Sequence, residues 1–258
     1  MKLLILCTKL PWPAKDGGAI ATLNLAMGLA NGGCQVTFLT MNTSKHYFPA
    51  DHIPDSILDK IDIRTVEVDT RIRPLFLLSN YLFSSYPYIA RRFNASGFRL
   101  EISNCLLESN YDFIQLEGPY LESYIPLIRS HSDAKIVLRA HNLEHRIWQQ
   151  TAALEKHLFK KHYINNLAKR ILNLETGILR MIDLLVPITE EDASVFLEMK
   201  PDIPVHVCKA GLYTEDYPFN EERETLKLFY IGALDWEPNR QGLEWFFEEV
   251  WPGITHKW

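Results

Sequence analysis

Short runs of apolar residues recur along the chain and alternate with segments that have the composition of helices. The runs are residues 2–7, 34–40, 61–68, 112–117, 135–140, 183–188 and 205–209. Strands that alternate with helices in this way form parallel sheets. Most of the runs are apolar throughout, as in strands covered on both faces, whereas 61–68 alternates polar and apolar residues and is expected at a more exposed position. The pattern predicts an α/β fold.

The stretches between these runs complete the prediction. Residues 18–31 and 146–181 have helical composition, and Thr189 followed by Asp192 is typical of a capped helix start. Together these elements predict a Rossmann-like parallel sheet with helices on both faces.

The composition changes near the end of the chain. Residues 214–225 are acidic and poor in aliphatic side chains, which indicates a linker. Residues 226–258 have the pattern of one strand and one helix, which cannot enclose a core by themselves. We therefore expect a first domain over 1–213, a linker over 214–225, and the first strand and helix of a truncated second domain over 226–258.

Charge and composition exclude several classes of protein. A net charge of -5 and a pI near 6.0 argue against nucleic-acid binding, and 47% hydrophobic with 23% charged residues is typical of a globular chain. The four cysteines form no CxxC pair, so reduced thiols and a cytoplasmic location are expected. The apolar start of the chain is too short for a secretory signal, and no apolar run is long enough to span a membrane.

Polar or flexible residues follow four of the predicted strands. They are Asp16, Gly17 and Gly18 after the first strand, Glu117 after the fourth, His141 and Asn142 after the fifth, and Gly211 after the last. The carboxyl ends of parallel strands meet at one edge of a sheet, so these residues are expected to share one crevice. Each of them could instead be only a turn residue, a helix cap or a satisfied polar group.

The pair Gly17 and Gly18 stands where a helix is predicted to begin. Two glycines allow positive φ and close approach of a ligand, and a helix N-terminus attracts phosphate, although the same pair also suits an ordinary turn. The sequence contains no GxGxxG, no acidic residue at the end of the second strand, and no GxxxxGK[ST] loop. Dinucleotide and P-loop sites are therefore disfavoured, and no cofactor is expected.

Residues 141–145 spell HxxEH, a pattern of some zinc proteases. Zinc binding of this kind needs both histidines on one face of a helix. The fifth predicted strand runs directly into His141, so we expect His141 on a loop and His145 in the first turn of the following helix. A metal site is therefore not expected, and His141 is a candidate for contact with a bound ligand.

Residues 71–99 contain five arginines, several aromatic residues and no acidic residue. Such a segment suits an anionic membrane surface, and it would place the protein peripherally at the inner face of a membrane. The alternative is aromatic packing against the sheet beneath a solvated rim of arginines.

Three stretches resemble one known family in their order and spacing. They are the opening strand, Gly-Gly pair, helix and second strand over 3–40, the HN-x-E-x-x-x-W stretch over 141–148, and residues 229–252. They resemble the retaining glycosyltransferases of the GT-B fold, the large group-1 (family 4) type. The last two stretches are similar to a subset that makes bacterial surface polysaccharides. The likeness covers essentially the whole chain.

This resemblance implies a hexosyltransferase that moves a sugar, with retention, from a nucleotide-sugar to a glycan or lipid-linked acceptor. Its N-terminal domain holds the acceptor, and its C-terminal domain holds the donor. Gly17 and Gly18 would approach the donor diphosphate, Asp16 would lie beside donor or acceptor, and His141 would contact the transferred sugar. Supporting positions would be Glu117, Asn142 and Gly211.

The sequence departs from the family pattern in three places. Residues 33–36 lack the usual histidine before the second strand, and only the glycine of Asn-Gly-Val-Asp is kept at 210–213. The donor-domain cations and the acidic E-x7-E element are absent, so we expect this chain alone to lack full activity. Two alternatives stay open: a non-catalytic Rossmann-like binding module, and an enzyme like the sugar-nucleotide 2-epimerases.

Overall fold

A computed structural model describes residues 1–214, 228–232, 234 and 237–255 of the chain. Within these ranges, six parallel strands form one sheet in the order β3-β2-β1-β4-β5-β6. The strands are β1 (Lys2–Cys7), β2 (Gln35–Thr43), β3 (Ile61–Val68), β4 (Phe113–Glu117), β5 (Lys135–Ala140) and β6 (Leu184–Pro187). The predicted α/β class and Rossmann-like parallel sheet are confirmed, and the partly polar β3 lies at an edge of the sheet.

Helices follow the strands on both faces of the sheet. They are α1 (Gly17–Asn31), α2 (Asp55–Leu58), α3 (Pro74–Phe83), α4 (Tyr88–Arg91), α5 (Ser96–Glu108), α6 (Ile125–His131), α7 (Glu144–Leu154), α8 (Leu158–Ile178) and α9 (Glu190–Met199). Two further helices near the end of the described chain are α10 (Glu237–Trp245) and α11 (Trp251–Thr255). A π-helical segment, Phe246–Val250, joins the last two. The helical region predicted at 146–181 is therefore two helices, α7 and α8.

The core has two layers because successive strand residues point to opposite faces of the sheet. On one face, Leu4 and Leu6 of β1 belong to the same cluster as Phe98 of α5. On the other face, Ile5 of β1 belongs to a cluster with Ala26 of α1. Burial of both faces explains why the strands are apolar throughout, and it leaves the strand ends as the place for polar groups.

The predicted strand at 205–209 is reduced to a single bridge between Val205 and Leu185. The amides of His206 and Cys208 donate to β6 carbonyls at 3.0 and 2.9 Å, so the segment does run beside β6. Proline limits this pairing, because Pro187 in β6 and Pro204 before the bridge have no N–H to donate.

The chain divides into two compact units, Met1–Leu212 and Tyr213–Trp258. In the second unit the rings of Phe246, Phe247 and Trp251 contact one another. The expected linker at 214–225 lies, except for residue 214, outside the described residues. Of the strand expected after it, residues 228–232 are irregular and exposed, since the described part of this unit contains no second strand to pair with them.

Two further findings concern membranes and cysteines. No helix in the described ranges is both long enough and apolar enough to cross a bilayer. Cys7 and Cys105 are buried free thiols, and burial raises the pKa of Cys7 to about 12. Cys34 and Cys208 are free and partly exposed.

The hydroxyl of Thr189 accepts a hydrogen bond from the Asp192 amide at 3.1 Å, which confirms the predicted start of α9. We expect Thr189→Ala to lower the free energy of unfolding by about 1 kcal/mol, because an amide in the first turn loses its partner. Urea denaturation measures this change. Ser194→Ala, at an exposed position of the same helix, is the control and should change it by less than about 0.5 kcal/mol. Equal effects of the two substitutions would contradict the capping role.

Candidate functional site

The candidate site lies at the carboxyl edge of the sheet, where the strand order reverses. From β1 the chain moves outward to β2 and β3, and it then returns to β4 on the other side of β1. The last residues of β1 and β4, Cys7 and Glu117, are paired in register. Ligands of open α/β sheets bind at such a reversal point. Loops after β1 and β4 therefore meet where a ligand is expected.

The Glu117 carboxylate is the centre of a hydrogen-bond network that joins three elements. Its Oε2 accepts from the Thr22 hydroxyl of α1 at 2.9 Å and lies 2.6 Å from Nε2 of His141, which follows β5. Its Oε1 accepts from the Gln115 side chain of β4. Only 2% of the Glu117 side chain is exposed. A buried carboxylate needs such partners, so the network fixes α1, β4 and the end of β5 relative to one another.

Arg139 balances the charge of Glu117. The two residues are opposite each other in the parallel register of β4 and β5, and Arg139 is only 1% exposed. Its Nε and Nη1 have no hydrogen-bond partner in the described part of the chain. Burial by itself raises the pKa of Glu117, but the hydrogen bond from His141, the charge of Arg139 and the hydrogen bond from Gln115 outweigh it, so this pKa lies below its ordinary value of 4.5. Glu117 is therefore ionised at neutral pH.

His141 is held in one orientation by this carboxylate. An ionised carboxylate only accepts hydrogen bonds, so Nε2 of His141 carries the proton in the contact with Glu117. In the neutral ring the other nitrogen, Nδ1, is then an acceptor. The His141 side chain is 20% exposed. The residue can therefore offer a ring nitrogen to a ligand while Glu117 fixes the ring.

Asp16 caps α1. Its Oδ1 accepts from the Ala19 amide at 2.9 Å, and its Oδ2 is paired with Lys9. Partial burial raises the pKa of Asp16, but the bonds from Lys9 and from the Ala19 amide outweigh burial and bring this pKa below its ordinary value. Asp16 therefore acts as a helix cap, which is one of the alternatives that the sequence left open.

Gly17 and Gly18 are the first two residues of α1, and neither has the positive φ that glycine permits. The reason is the cap at Asp16, which starts helical geometry at the next residue. A Cβ added at Gly17 would meet no atom within 4 Å. The absence of side chains thus leaves the first amides of α1 accessible, and such amides attract anions.

Gly118 is the glycine whose backbone geometry matters most at this edge. It has φ of 93°, a region that favours glycine, and its amide donates to the Arg139 carbonyl at 3.0 Å. The turn ends β4 immediately after Glu117 and leads into the 3-10 segment Pro119–Tyr124. A sharp turn here keeps Glu117 at the very end of its strand.

The two remaining predicted site residues are exposed. Asn142 lies in the bend between β5 and α7. The Gly211 carbonyl accepts from the Asn24 side chain of α1 at 2.9 Å. The structure thus brings Glu117 and His141 into contact and ties Gly211 to α1, and it shows no hydrogen bond from the Asn142 side chain to the other described site residues.

The histidines of the HxxEH stretch bind different partners. His141 precedes α7 and His145 lies in its first turn, as predicted. Nδ1 of His145 is 2.6 Å from Oε2 of Glu175 in α8, and Glu175 also accepts from the Glu144 amide at 2.8 Å. Burial raises the pKa of Glu144, whose carboxylate accepts from Tyr120 at 2.8 Å. No group of three or more His, Cys, Asp or Glu side chains in the described ranges is arranged to hold a metal ion.

A concave region of about 460 Å³ lies at the carboxyl ends of β2 and β3. Its lining residues are Asn42, Ser44, Tyr47, Glu67, Val68, Asp69 and Arg71. Because β2 is the neighbour of β1, this region lies on the same edge of the sheet as Glu117. The Asn42 amide is engaged by the Phe48 backbone, and the Asp69 carboxylate is engaged by Arg71. The hydroxyls of Ser44 and Tyr47 and the carboxylate of Glu67 are the lining groups suited to hydrogen-bonding a hydroxylated ligand.

Sequence reasoning missed four residues of this site: Lys9, Thr22, Gln115 and Arg139. Gln115 and Arg139 had a signal. Gln115 precedes Glu117 by two residues and so shares its face of β4, and Arg139 is a charged residue inside an apolar strand. Thr22 and Lys9 had none, because a threonine in a helix and a lysine in a loop are common and only the fold brings them to the site.

Comparison with solved structures identifies the fold of the described domain. Sucrose-phosphate synthase from Thermosynechococcus elongatus matches with a TM-score of 0.52 and 14% identity, over 83% of this chain and 49% of that one. Phytolacca americana UGT2, complexed with UDP-2fluoro-glucose and pterostilbene, gives 0.50 and 10%, over 84% and 56%. Anabaena Alr3699/HepE in complex with UDP-glucose gives 0.47 and 13%, over 95% and 50%. Neither a protein-family model nor a curated protein sequence matches the chain significantly.

The chain spans about half the length of these solved proteins. At such low identity, the likeness concerns the fold. The chain contains a Rossmann-like domain of the GT-B type, similar to one domain of known glycosyltransferases.

Glu117→Gln removes the charge that opposes buried Arg139, so we expect it to lower the free energy of unfolding at pH 7 by on the order of 3 kcal/mol. The folded-state pKa of Glu117 lies below its unfolded value. Its carboxylate therefore stabilises the fold above the unfolded pKa, and this contribution is lost as the pH falls through the folded pKa.

The difference between wild type and Glu117→Gln should accordingly shrink as the pH falls below about 5. Urea denaturation over a series of pH values measures it, with Glu198→Gln on the exposed face of α9 as the control. A large difference that stays constant into strong acid would contradict an ionised Glu117.

Proposed function

We propose that this chain contains the acceptor-side domain of a glycosyltransferase that transfers a hexose from a nucleotide-sugar to a glycan or lipid-linked acceptor. The observation that carries the proposal is the contact of Glu117 with His141 beside α1, at the reversal point of a GT-B-type sheet. The donor domain of such an enzyme would supply the opposite wall of the cleft.

The N-terminus of α1 supports a role in binding the donor phosphates. Gly17 and Gly18 leave its first amides accessible, and Lys9 neutralises the Asp16 carboxylate that caps the helix. A nucleoside diphosphate gains negative charge as the glycosidic bond breaks. Pre-organised amide dipoles and cations stabilise that charge more strongly in the transition state than in the ground state.

His141 is proposed to touch the transferred sugar. With its Nε2 proton held by Glu117, Nδ1 can accept a hydrogen bond from a sugar hydroxyl. Glu117 is then a positioning residue that acts through His141. Retention with front-face attack belongs to the proposal because it follows from the family resemblance.

The proposal also includes the kind of acceptor and the cellular location of the reaction. The concave region at the ends of β2 and β3 offers hydrogen-bonding groups for a glycan. The family resemblance favours synthesis of a surface polysaccharide, and the reduced cysteines favour a cytoplasmic location. The proposed reaction uses the nucleotide-sugar as substrate and calls for no other cofactor.

The direct test is sugar transfer by the protein expressed from its complete gene. It is incubated with UDP-, GDP- and dTDP-sugars, with and without glycan acceptors, and release of the nucleoside diphosphate is measured. Release that depends on His141 supports the proposal, and no release from any donor overturns it. Appearance of an epimerised nucleotide-sugar without transfer would favour an epimerase-like enzyme, and binding without turnover would favour the binding module.

Gly17→Val should reduce turnover by at least about 100-fold, because a branched side chain in the open space above α1 blocks close approach of the diphosphate. The melting temperature should stay near that of wild type, since a Cβ at this exposed position meets no atom within 4 Å. Gly177→Val in α8 is the matched control, because a Cβ at that glycine also meets no atom within 4 Å. Unchanged kcat and KM in Gly17→Val would remove this loop from the active site.

His141→Ala should lower kcat by about 100-fold with only a small change in melting temperature. His145→Ala provides the contrast: it removes the side-chain partner of the buried Glu175 and leaves it only the backbone amides, so it should lower the melting temperature more and kcat less. Steady-state kinetics and thermal unfolding of both variants measure the two effects. A collapse of stability in His141→Ala, without a specific loss of kcat, would make His141 a structural residue.

A further inference from the structure

The polarity of α3 is inverted relative to an ordinary surface helix. In this helix the one buried residue is polar, Asn80. Surface helices of globular proteins turn their apolar side inward. Five large apolar side chains of α3 are instead exposed by 53% to 84%: Leu75, Phe76, Leu78, Leu82 and Phe83. A group of exposed apolar residues of this size marks an interaction surface.

This helix is fixed in place by its polar side. Arg170 of α8 donates to the carbonyls of Asn80 and Tyr81 at 3.2 and 2.8 Å and lies over the Tyr81 ring at 5.6 Å. The Tyr81 ring also contacts the Tyr163 ring of α8. The Asn80 side chain donates to the Tyr86 carbonyl at 3.1 Å. The outward direction of the apolar side chains is therefore built into the fold.

The start of α8 extends this apolar surface. Leu158 and Phe159 are exposed by 79% and 85%. Phe159 is one helical turn before Tyr163, whose ring contacts Tyr81 of α3. The two groups thus lie on adjoining helices, and together these seven residues form what we call the α3–α8 surface.

Basic residues flank the α3–α8 surface at both ends. Before α3, Arg71 and Arg73 share a single carboxylate, Asp69, which leaves one positive charge in excess. Around the start of α8, residues 155–161 contain three lysines and one glutamate, and the sequence has no acidic residue from 70 to 100. These positive flanks occur in a chain whose net charge is -5.

We propose that the α3–α8 surface docks reversibly on an anionic phospholipid bilayer. The leucine and phenylalanine side chains enter the boundary between headgroups and acyl chains, and the basic flanks contact the lipid phosphates. Pairing of two copies through this surface would bring their positive flanks together, so the lipid surface is the better occupant. Docking needs no chemistry at Glu117 or His141, and the inference does not depend on the proposed transferase activity.

The test is sedimentation of the 258-residue chain with phosphatidylcholine vesicles, with and without about 30% phosphatidylglycerol. We expect at least about tenfold stronger binding to the anionic vesicles, and weaker binding at high salt. The variant Leu75→Ser, Phe76→Ser, Phe83→Ser should lose about tenfold or more of this binding. Its circular dichroism and melting temperature should match wild type, because the replaced side chains are exposed.

The matched control is Leu100→Ser with Leu107→Ser, two exposed leucines of α5, which should bind vesicles as wild type does. A charge variant, Lys156→Gln with Lys161→Gln, should weaken binding to anionic vesicles and leave binding to neutral ones unchanged. The proposal is overturned if wild type does not bind anionic vesicles, or if the α3 variant binds as well as wild type. Sedimentation velocity gives a further outcome: a dimer that the α3 variant abolishes would make a second copy the occupant and overturn the proposal as well.

Discussion

The ionised carboxylate of Glu117 is the constraint on which the carboxyl edge of the sheet depends. A buried charge is very unfavourable unless hydrogen bonds and an opposite charge compensate it. Here the compensation comes from different parts of the chain: Thr22 from α1, His141 from the end of β5, and Arg139 from within β5. Satisfying this one carboxylate therefore positions both α1, whose first amides are accessible, and His141, whose ring is partly exposed.

The junction between β5 and α7 is held by two carboxylates that approach from different directions. Glu117 binds His141 before the helix, and Glu175 binds both the side chain and the amide of His145 in its first turn. Two fixed histidines four residues apart leave the intervening bend little freedom. Asn142, which lies exposed in that bend, is consequently presented in a defined place even though no hydrogen bond in the described ranges joins its side chain to the network of Glu117.

The parts of this architecture that follow from local pattern could be predicted from the sequence. Apolar runs and the Thr189 cap predicted the sheet and the start of α9, and the rule of strand ends predicted that Glu117 and His141 share an edge. Three features could not be predicted in this way. The backbone of Gly17 is set by the cap before it, and Pro187 and Pro204 limit the pairing of residues 205–209 with β6. The inverted polarity of α3 depends on contacts with Arg170, which is distant in sequence.

The hydrogen bond between Asn24 and Gly211 has a mechanical consequence. Gly211 is the residue before Leu212, where the first compact unit ends, and Asn24 is on the same helix as Thr22 and the accessible amides of Gly17. The segment that leads out of this unit is therefore held on two sides, by the backbone bonds of His206 and Cys208 to β6 and by the side-chain amide of Asn24. The helix that presents the candidate anion site is thus also the helix that contacts the chain at the boundary of the unit.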